Sequence, residues 1–149
     1  MIILISAYDR PLTGHASGFN PRGFVIEQPD SGDFNLEAMA GRHVMVTFWS
    51  SSDAASRLRN VYYSAMARHN PDLWHVGINM GDKPEMYREF LRLDRLDGDS
   101  LQFHVGKDVA SRLTGRYGLT TCYNTFMLSP EQNVIARNPS AERVDSLLH

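Results

Sequence analysis

The stretch that decides the fold is Val44–Val61, VMVTFWSSSDAASRLRNV. Its first six residues, Val44-Met45-Val46-Thr47-Phe48-Trp49, are nearly continuous in apolar and β-branched side chains, the pattern of a central strand covered on both faces. Three serines and an aspartate follow, Ser50-Ser51-Ser52-Asp53, and the chain then enters a helical pattern. Leu58, Val61, Tyr62, Ala65 and Met66 recur at i, i+3, i+4, i+7 and i+8, which predicts an α-helix ending before Asn70-Pro71 with those side chains inward. The polar corner between strand and helix is the candidate functional site.

Working outward, Trp74–Met80 reads as a second strand, and Asp82-Lys83-Pro84 opens a second helix carrying Met86, Tyr87, Phe90, Leu91 and Leu93. Strand, helix, strand, helix implies a parallel βαβ unit with a right-handed crossover. Asp94–Ser100 is a polar turn region, Leu101–Val105 a short strand, and Asp108–Leu113 a short helix ending near Gly115. Thr125–Leu128 and Val134–Ala136 form a hairpin across the turn-rich Ser129–Asn133. Ser140 is placed to N-cap a last helix with Val144, Leu147 and Leu148 on its inner stripe. Toward the start, Phe24–Ile26 and Phe34–Leu36 read as short strands, and Glu37–Gly41 as one helical turn closed by Gly41. Tyr8–Pro21 lacks periodicity, so residues 1–23 are expected to be an irregular lead-in and 24–149 the folded domain.

The chain has 149 residues, 42% apolar and 21% charged, with a formal net charge of -2. Those values fit one globular domain able to bury its own core, and they exclude the disordered class. Lys and Arg are scattered, so nucleic-acid binding has no electrostatic support. Met1–Ala7 is apolar but too short to cross a bilayer, and no other stretch reads as a transmembrane segment. Met1–Ala7 is either the end of an export-signal h-region, which would put the chain in the periplasm or cell envelope, or a short N-terminal strand or loose end of a cytoplasmic one. The six histidines, His15, His43, His69, His75, His104 and His149, are spread singly, without metal-ligand spacing, and no metal or other cofactor is expected. There is one cysteine, Cys122, so an intramolecular disulfide is impossible and any thiol chemistry must involve a partner molecule.

The order of elements and two sequence segments together resemble the thioredoxin-like superfamily. VMVTFWSSSDAASR (44–57) resembles the family's strand and active-site corner, V-L-V-N-F-W-A-S-W followed by C-x-x-C-R. GLTTCYNTFMLSPEQNVIAR (118–137) resembles its second signature, G-V-x-x-x-P-T-x-F-L-I-D-x-x-G-x-I-x-R. The span from Asp82 through Gly118 resembles the longer crossover of the thiol-disulfide oxidoreductase branch of bacterial cell envelopes, which includes many Bacteroidetes-type proteins. The resemblance runs from about Phe24 to Leu148. It implies an α/β fold: a central mixed β-sheet flanked by helices, with an N-terminal extension and an inserted helix in the crossover.

Matched position by position, Ser50 and Ser51 replace Ala-Ser and Ser52 replaces the tryptophan. Asp53 stands at the first cysteine and Ser56 at the second, while Arg57 keeps the basic residue that follows. Both redox sulfurs are therefore missing, and the family's reaction needs a thiolate at the helix start plus a resolving thiol three residues on. The family's cis-proline position falls on Tyr123, or on Asn124 if the loop has slipped. A non-proline cis peptide costs about 2.5 to 4 kcal/mol, so a trans peptide and a remodelled loop are expected.

These departures imply a redox-inactive thioredoxin-like domain that serves as a binding or interaction module. Its partner would be a protein or peptide at the former active-site groove, near Trp49, Ser52, Asp53, Arg57, Cys122, Tyr123 and Asn124. In its structural role the corner is a helix cap: Ser and Asp are strong N-caps, each worth on the order of 1 kcal/mol. The serines, helix-start N–H groups and Arg57 form an alternative small-anion site, which Asp53 would oppose. The other functional reading is a divergent oxidoreductase working through Cys122 with an external thiol. A carboxylate beside that sulfur would raise its pKa and make it less reactive.

Overall fold

The apolar run becomes β3 (His43–Trp49), with every residue from Val44 to Trp49 buried. In this computed structural model, residues 25–26, 33–119 and 123–149 are described; the lead-in expected over residues 1–23, Phe24 and Cys122 lie outside that set. The corner leads into α1 (Ala54–Arg68), and β4 (Leu73–Met80) returns parallel to β3, pairing His43 with Leu73 through Trp49 with Asn79. Next come α2 (Pro84–Leu93), β5 (Gln102–Val105) and α3 (Lys107–Tyr117). The hairpin β6 (Thr125–Leu128) and β7 (Val134–Arg137) and the final α4 (Ala141–Leu148) complete the sheet and its cover.

The sheet order is β5-β4-β3-β6-β7, parallel through β3, β4 and β5 and antiparallel at β6 and β7. It is the mixed, helix-flanked sheet of the thioredoxin-like fold expected from the sequence. Beside it, β1 (Val25–Ile26) and β2 (Phe34–Asn35) pair as a small antiparallel ribbon, followed by a 3-10 turn over Leu36–Met39. Ser140 caps α4 as expected, its hydroxyl accepting the Arg143 N–H at 3.1 Å. Helix α3 outruns its expected end at Gly115: it continues to Tyr117, where Gly118, at φ 66°, supplies the left-handed residue that stops a helix without a Cβ penalty.

The two faces of the sheet differ in chemistry. Val46, Phe48, Val76, Ile78, Phe103 and Phe126 build one apolar core with Leu113 and Tyr117 of α3. On the opposite face Met45, Leu73 and Met127 pack against Tyr63 of α1 and Val144 of α4, while Trp49 packs against Leu91 and Leu96. Between those two clusters the α1-facing layer is polar. Thr47, His75, Asn79, Gln102 and Thr125 on the strands, and Ser56, Asn60 and Ser64 on α1, are all buried.

That layer turns the inner face of α1 away from part of the expected stripe: Val61 and Met66, partly buried, still pack against the two clusters. Leu58 is 69% exposed and Tyr62 44%, and the buried side chains of the helix are Ser56, Asn60, Tyr63 and Ser64. The reason is hydrogen bonding: the Asn60 and Gln102 amides exchange reciprocal bonds at 3.1 Å across Gly77. A Cβ at Gly77 would lie 2.3 Å from Asn60 Oδ1 and from Gln102 Oε1, so only glycine leaves the pair room. In α2 the buried side is likewise narrower than expected, with Leu91 inward and Met86 and Leu93 exposed.

Candidate functional site

The corner begins where β3 ends. An isolated bridge links Ser50 to Asp53, turning the chain, and Asp53 adopts the extended conformation of an N-cap at φ -122°. Its carboxylate accepts the Ser56 N–H at 3.3 Å. The Ser56 hydroxyl donates to the Asp53 carbonyl at 2.9 Å and accepts the Ser50 N–H at 3.2 Å. Ser56 is fully buried, so the residue that the resemblance sets at the second cysteine position is closed into the backbone of the turn. The cap expected of this corner is thus Asp53 alone.

The serines turn elsewhere, toward Asp82 beyond the end of β4. Its carboxylate accepts the Ser51 N–H at 2.9 Å, the Ser51 hydroxyl at 3.0 Å, the Ser50 hydroxyl at 3.3 Å and the Asn79 amide at 2.8 Å. Ser52 joins through its N–H and hydroxyl to Ser50 Oγ, and His104 Nε2 donates to the Asp82 carbonyl at 2.6 Å. Asp82 is therefore the hub of the corner. Sequence reasoning missed it because Asp-Lys-Pro reads as a helix start; the signal that could have found it is Asn79, a polar residue inside the apolar run of β4.

Arg57 faces away from this group. It forms a two-point pair with Asp94, Nε at 2.9 Å and Nη2 at 2.6 Å, and its guanidinium lies 4.3 Å from the Phe90 ring centre. The hydrogen bond to Asp94 raises its pKa against the lowering effect of burial. It ties α1 to the end of α2 and offers no second cation to an anion at the corner. Trp49, expected to flank a groove, is completely buried beside Leu91, Leu96 and Tyr87 and presents no surface.

Tyr123 does reach the corner. It is half-buried, and its phenol pKa is raised, first by burial and then by the negative charges of Asp82 and Asp53. Its carbonyl accepts Arg59 Nη2 at 2.7 Å, while the Asn124 carbonyl accepts the Phe48 N–H at 3.1 Å. No peptide bond among the described residues is cis, so the Tyr123–Asn124 bond is trans; the bond before Tyr123 involves Cys122 and lies outside them. Asn124 is buried, and its Oδ1 accepts the Asn138 amide at 2.9 Å.

The structure thus gathers Ser50, Ser51, Ser52, Asp53, Ser56, Asp82 and Tyr123 at one end of the sheet, and sends Trp49, Arg57 and Asn124 to other tasks. The hydroxyl at position 56 is engaged on both sides, and the carboxylate at position 53 caps the helix. Among the described residues no three His, Cys, Asp or Glu side chains converge on a metal position, and no helix is long and apolar enough to cross a membrane.

No protein-family model matches the sequence, and no curated protein matches it. Solved structures do. A thioredoxin-like protein from Parabacteroides distasonis is 33% identical, aligned over 72% of this chain and 80% of that one, with a TM-score of 0.65. The thioredoxin domain of a thiol-disulfide oxidoreductase from Bacteroides vulgatus superposes with a TM-score of 0.78 over 90% of this chain and 99% of that one, at 15% identity. A thiol-disulfide oxidoreductase from Bacteroides fragilis gives 0.69 over 87% and 96%, at 18% identity. The last two likenesses are of fold alone.

Proposed function

The chain belongs to the thioredoxin-like proteins, and from that premise we propose that it has lost dithiol-disulfide exchange and works as a binding module, with a protein or peptide as partner at the former active-site corner. One observation supports the reading: of the two residues that the resemblance sets at the redox sulfurs, Asp53 is committed as a helix cap and Ser56 is buried with its hydroxyl closed onto the turn. Neither side chain forms a disulfide, and neither is placed to attack one.

The surface around the corner supports a partner of partly apolar character. Ser52 is exposed, Met86 sits beside Ser51 at 3.5 Å and is 47% exposed, and Leu58 and Tyr62 stand outward on α1. Tyr123 adds half-buried aromatic surface. A setting in the bacterial cell envelope belongs to the same reading, through the resemblance of the crossover to the envelope branch.

Insulin reduction driven by dithiothreitol tests the loss of exchange: the rate is expected to equal the no-protein control, and turnover above it overturns the reading. Panning displayed peptides against the wild type and a Ser52→Arg/Met86→Glu variant, altered at exposed side chains of the corner, tests the binding role. Enriched peptides should lose affinity at least tenfold for the variant; equal affinity removes the corner as the docking surface.

A further inference from the structure

A recess lies toward the other end of β4. A cleft of about 430 Å³ opens between the last turns of α1, the start of β4 and the 95–101 segment that follows α2. It is separated from the corner by about 20 Å along β4, taking some 3.3 Å per residue from Trp74 to Met80. Its volume lies in the range of small-molecule sites, about 300–1,000 Å³. It is independent of the corner and of the reading given for it.

The walls have a definite chemistry. Ala67, Leu73 and Leu101 supply apolar surface, and Arg68 and Arg95 stand at the cleft with no carboxylate partner among the described residues. Asp99 also lines it, but its carboxylate is already held by the Leu101 N–H at 2.9 Å and the Ser64 hydroxyl at 3.4 Å. Two guanidinium groups against one carboxylate leave a single excess positive charge in a chain whose net charge is -2.

The floor of the cleft reaches the buried polar layer. His75 is one of the cleft's lining residues, and its side chain is 4% exposed. Its Nε2 is bonded to the Thr47 hydroxyl at 2.9 Å, while its Nδ1 is buried without a hydrogen-bond partner among the described residues.

We propose that this cleft binds a small organic monocarboxylate with an apolar body, its carboxylate held by Arg68 and Arg95 and its body against Ala67, Leu73 and Leu101. The planar guanidinium fork matches a carboxylate, and one excess charge matches a monoanion better than a dianionic phosphate ester. The apolar wall selects against a bare inorganic ion.

The probe is sodium benzoate, followed by amide chemical shifts in ¹H–¹⁵N spectra of the full chain. Benzamidine serves as a cation of the same shape and inorganic phosphate as an anion without a body. Benzoate is expected to saturate with a Kd of about 1 mM or below, roughly −4 kcal/mol, shifting amides of Ser64, Arg68 and Leu101 and leaving those of Ser52 and Asp53 in place. Benzamidine and phosphate should bind at least tenfold more weakly, and an Arg68→Gln/Arg95→Gln variant, altered only at exposed side chains, should lose benzoate affinity at least tenfold while keeping its dispersed spectrum. No saturable shift, equal response to benzamidine, tighter binding of phosphate, or unchanged affinity in the variant each overturns the proposal.

Discussion

At the scale of single residues, the corner separates two carboxylates that look alike in the sequence. Asp53 makes one cap bond, so Asp53→Ala should cost about 1 kcal/mol. Asp82 accepts from Ser50, Ser51 and Asn79 together, so Asp82→Ala leaves several part-buried donors unmet and should cost about 3 kcal/mol. Urea denaturation of the two variants checks the ranking; equal costs would remove Asp82 from the centre of the corner. Asp53 could be read from the sequence because N-capping is a local property, decided within four residues. Asp82 was missed, because its serine partners lie 31 and 32 positions upstream and only the parallel pairing of β3 with β4 brings them alongside; Asn79, three positions away, was the one local sign of it.

At the scale of elements, each helix and strand among the described residues was legible, because strand and helix periods are local signals. The inner face of α1 was not. Hydrophobic spacing assigns inwardness by apolarity, and here the inward positions Ser56, Asn60 and Ser64 are polar and satisfied by partners on the sheet. Two variants test which face holds the helix. Leu58→Ser should change stability by less than about 0.5 kcal/mol, as expected of an exposed side chain. Gly77→Ala should cost about 2 kcal/mol, since the added methyl must break the Asn60–Gln102 pair or displace α1. A thermal-melt series in which Leu58→Ser was the more damaging change would restore the apolar stripe as the inner one. Cys122 carries the alternative oxidoreductase reading and lies outside the described residues, so its reactivity is the direct question. Reaction with a disulfide reagent near pH 7 no faster than in denatured chain would end that reading.

At the scale of the whole molecule, the polar layer ties stability to pH. Burial lowers the pKa of His75 from 6.5 to about 3. The folded state therefore holds this ring neutral while the unfolded chain takes up a proton below pH 6.5. The contribution is fully present above pH 6.5 and is lost as the pH falls toward 3, at up to about 1.4 kcal/mol per pH unit. Between pH 6.5 and 5, above the usual carboxylate range, His75 should cost the fold about 2 kcal/mol, and His75→Gln should flatten that limb. Stability measured by urea titration at several pH values decides it: an equally steep limb in the variant would assign the acid sensitivity to other groups.

The reciprocal amides of Asn60 and Gln102 over Gly77 also have a bearing on descent. Three positions spread across 42 residues of chain are bound into one unit, because neither amide keeps its bonds if the other is lost, and neither fits if the glycine gains a side chain. Among natural relatives of this chain these positions should therefore change jointly. Lineages that keep the amide pair should keep the glycine, and those with a larger residue at 77 should carry smaller or apolar side chains at 60 and 102.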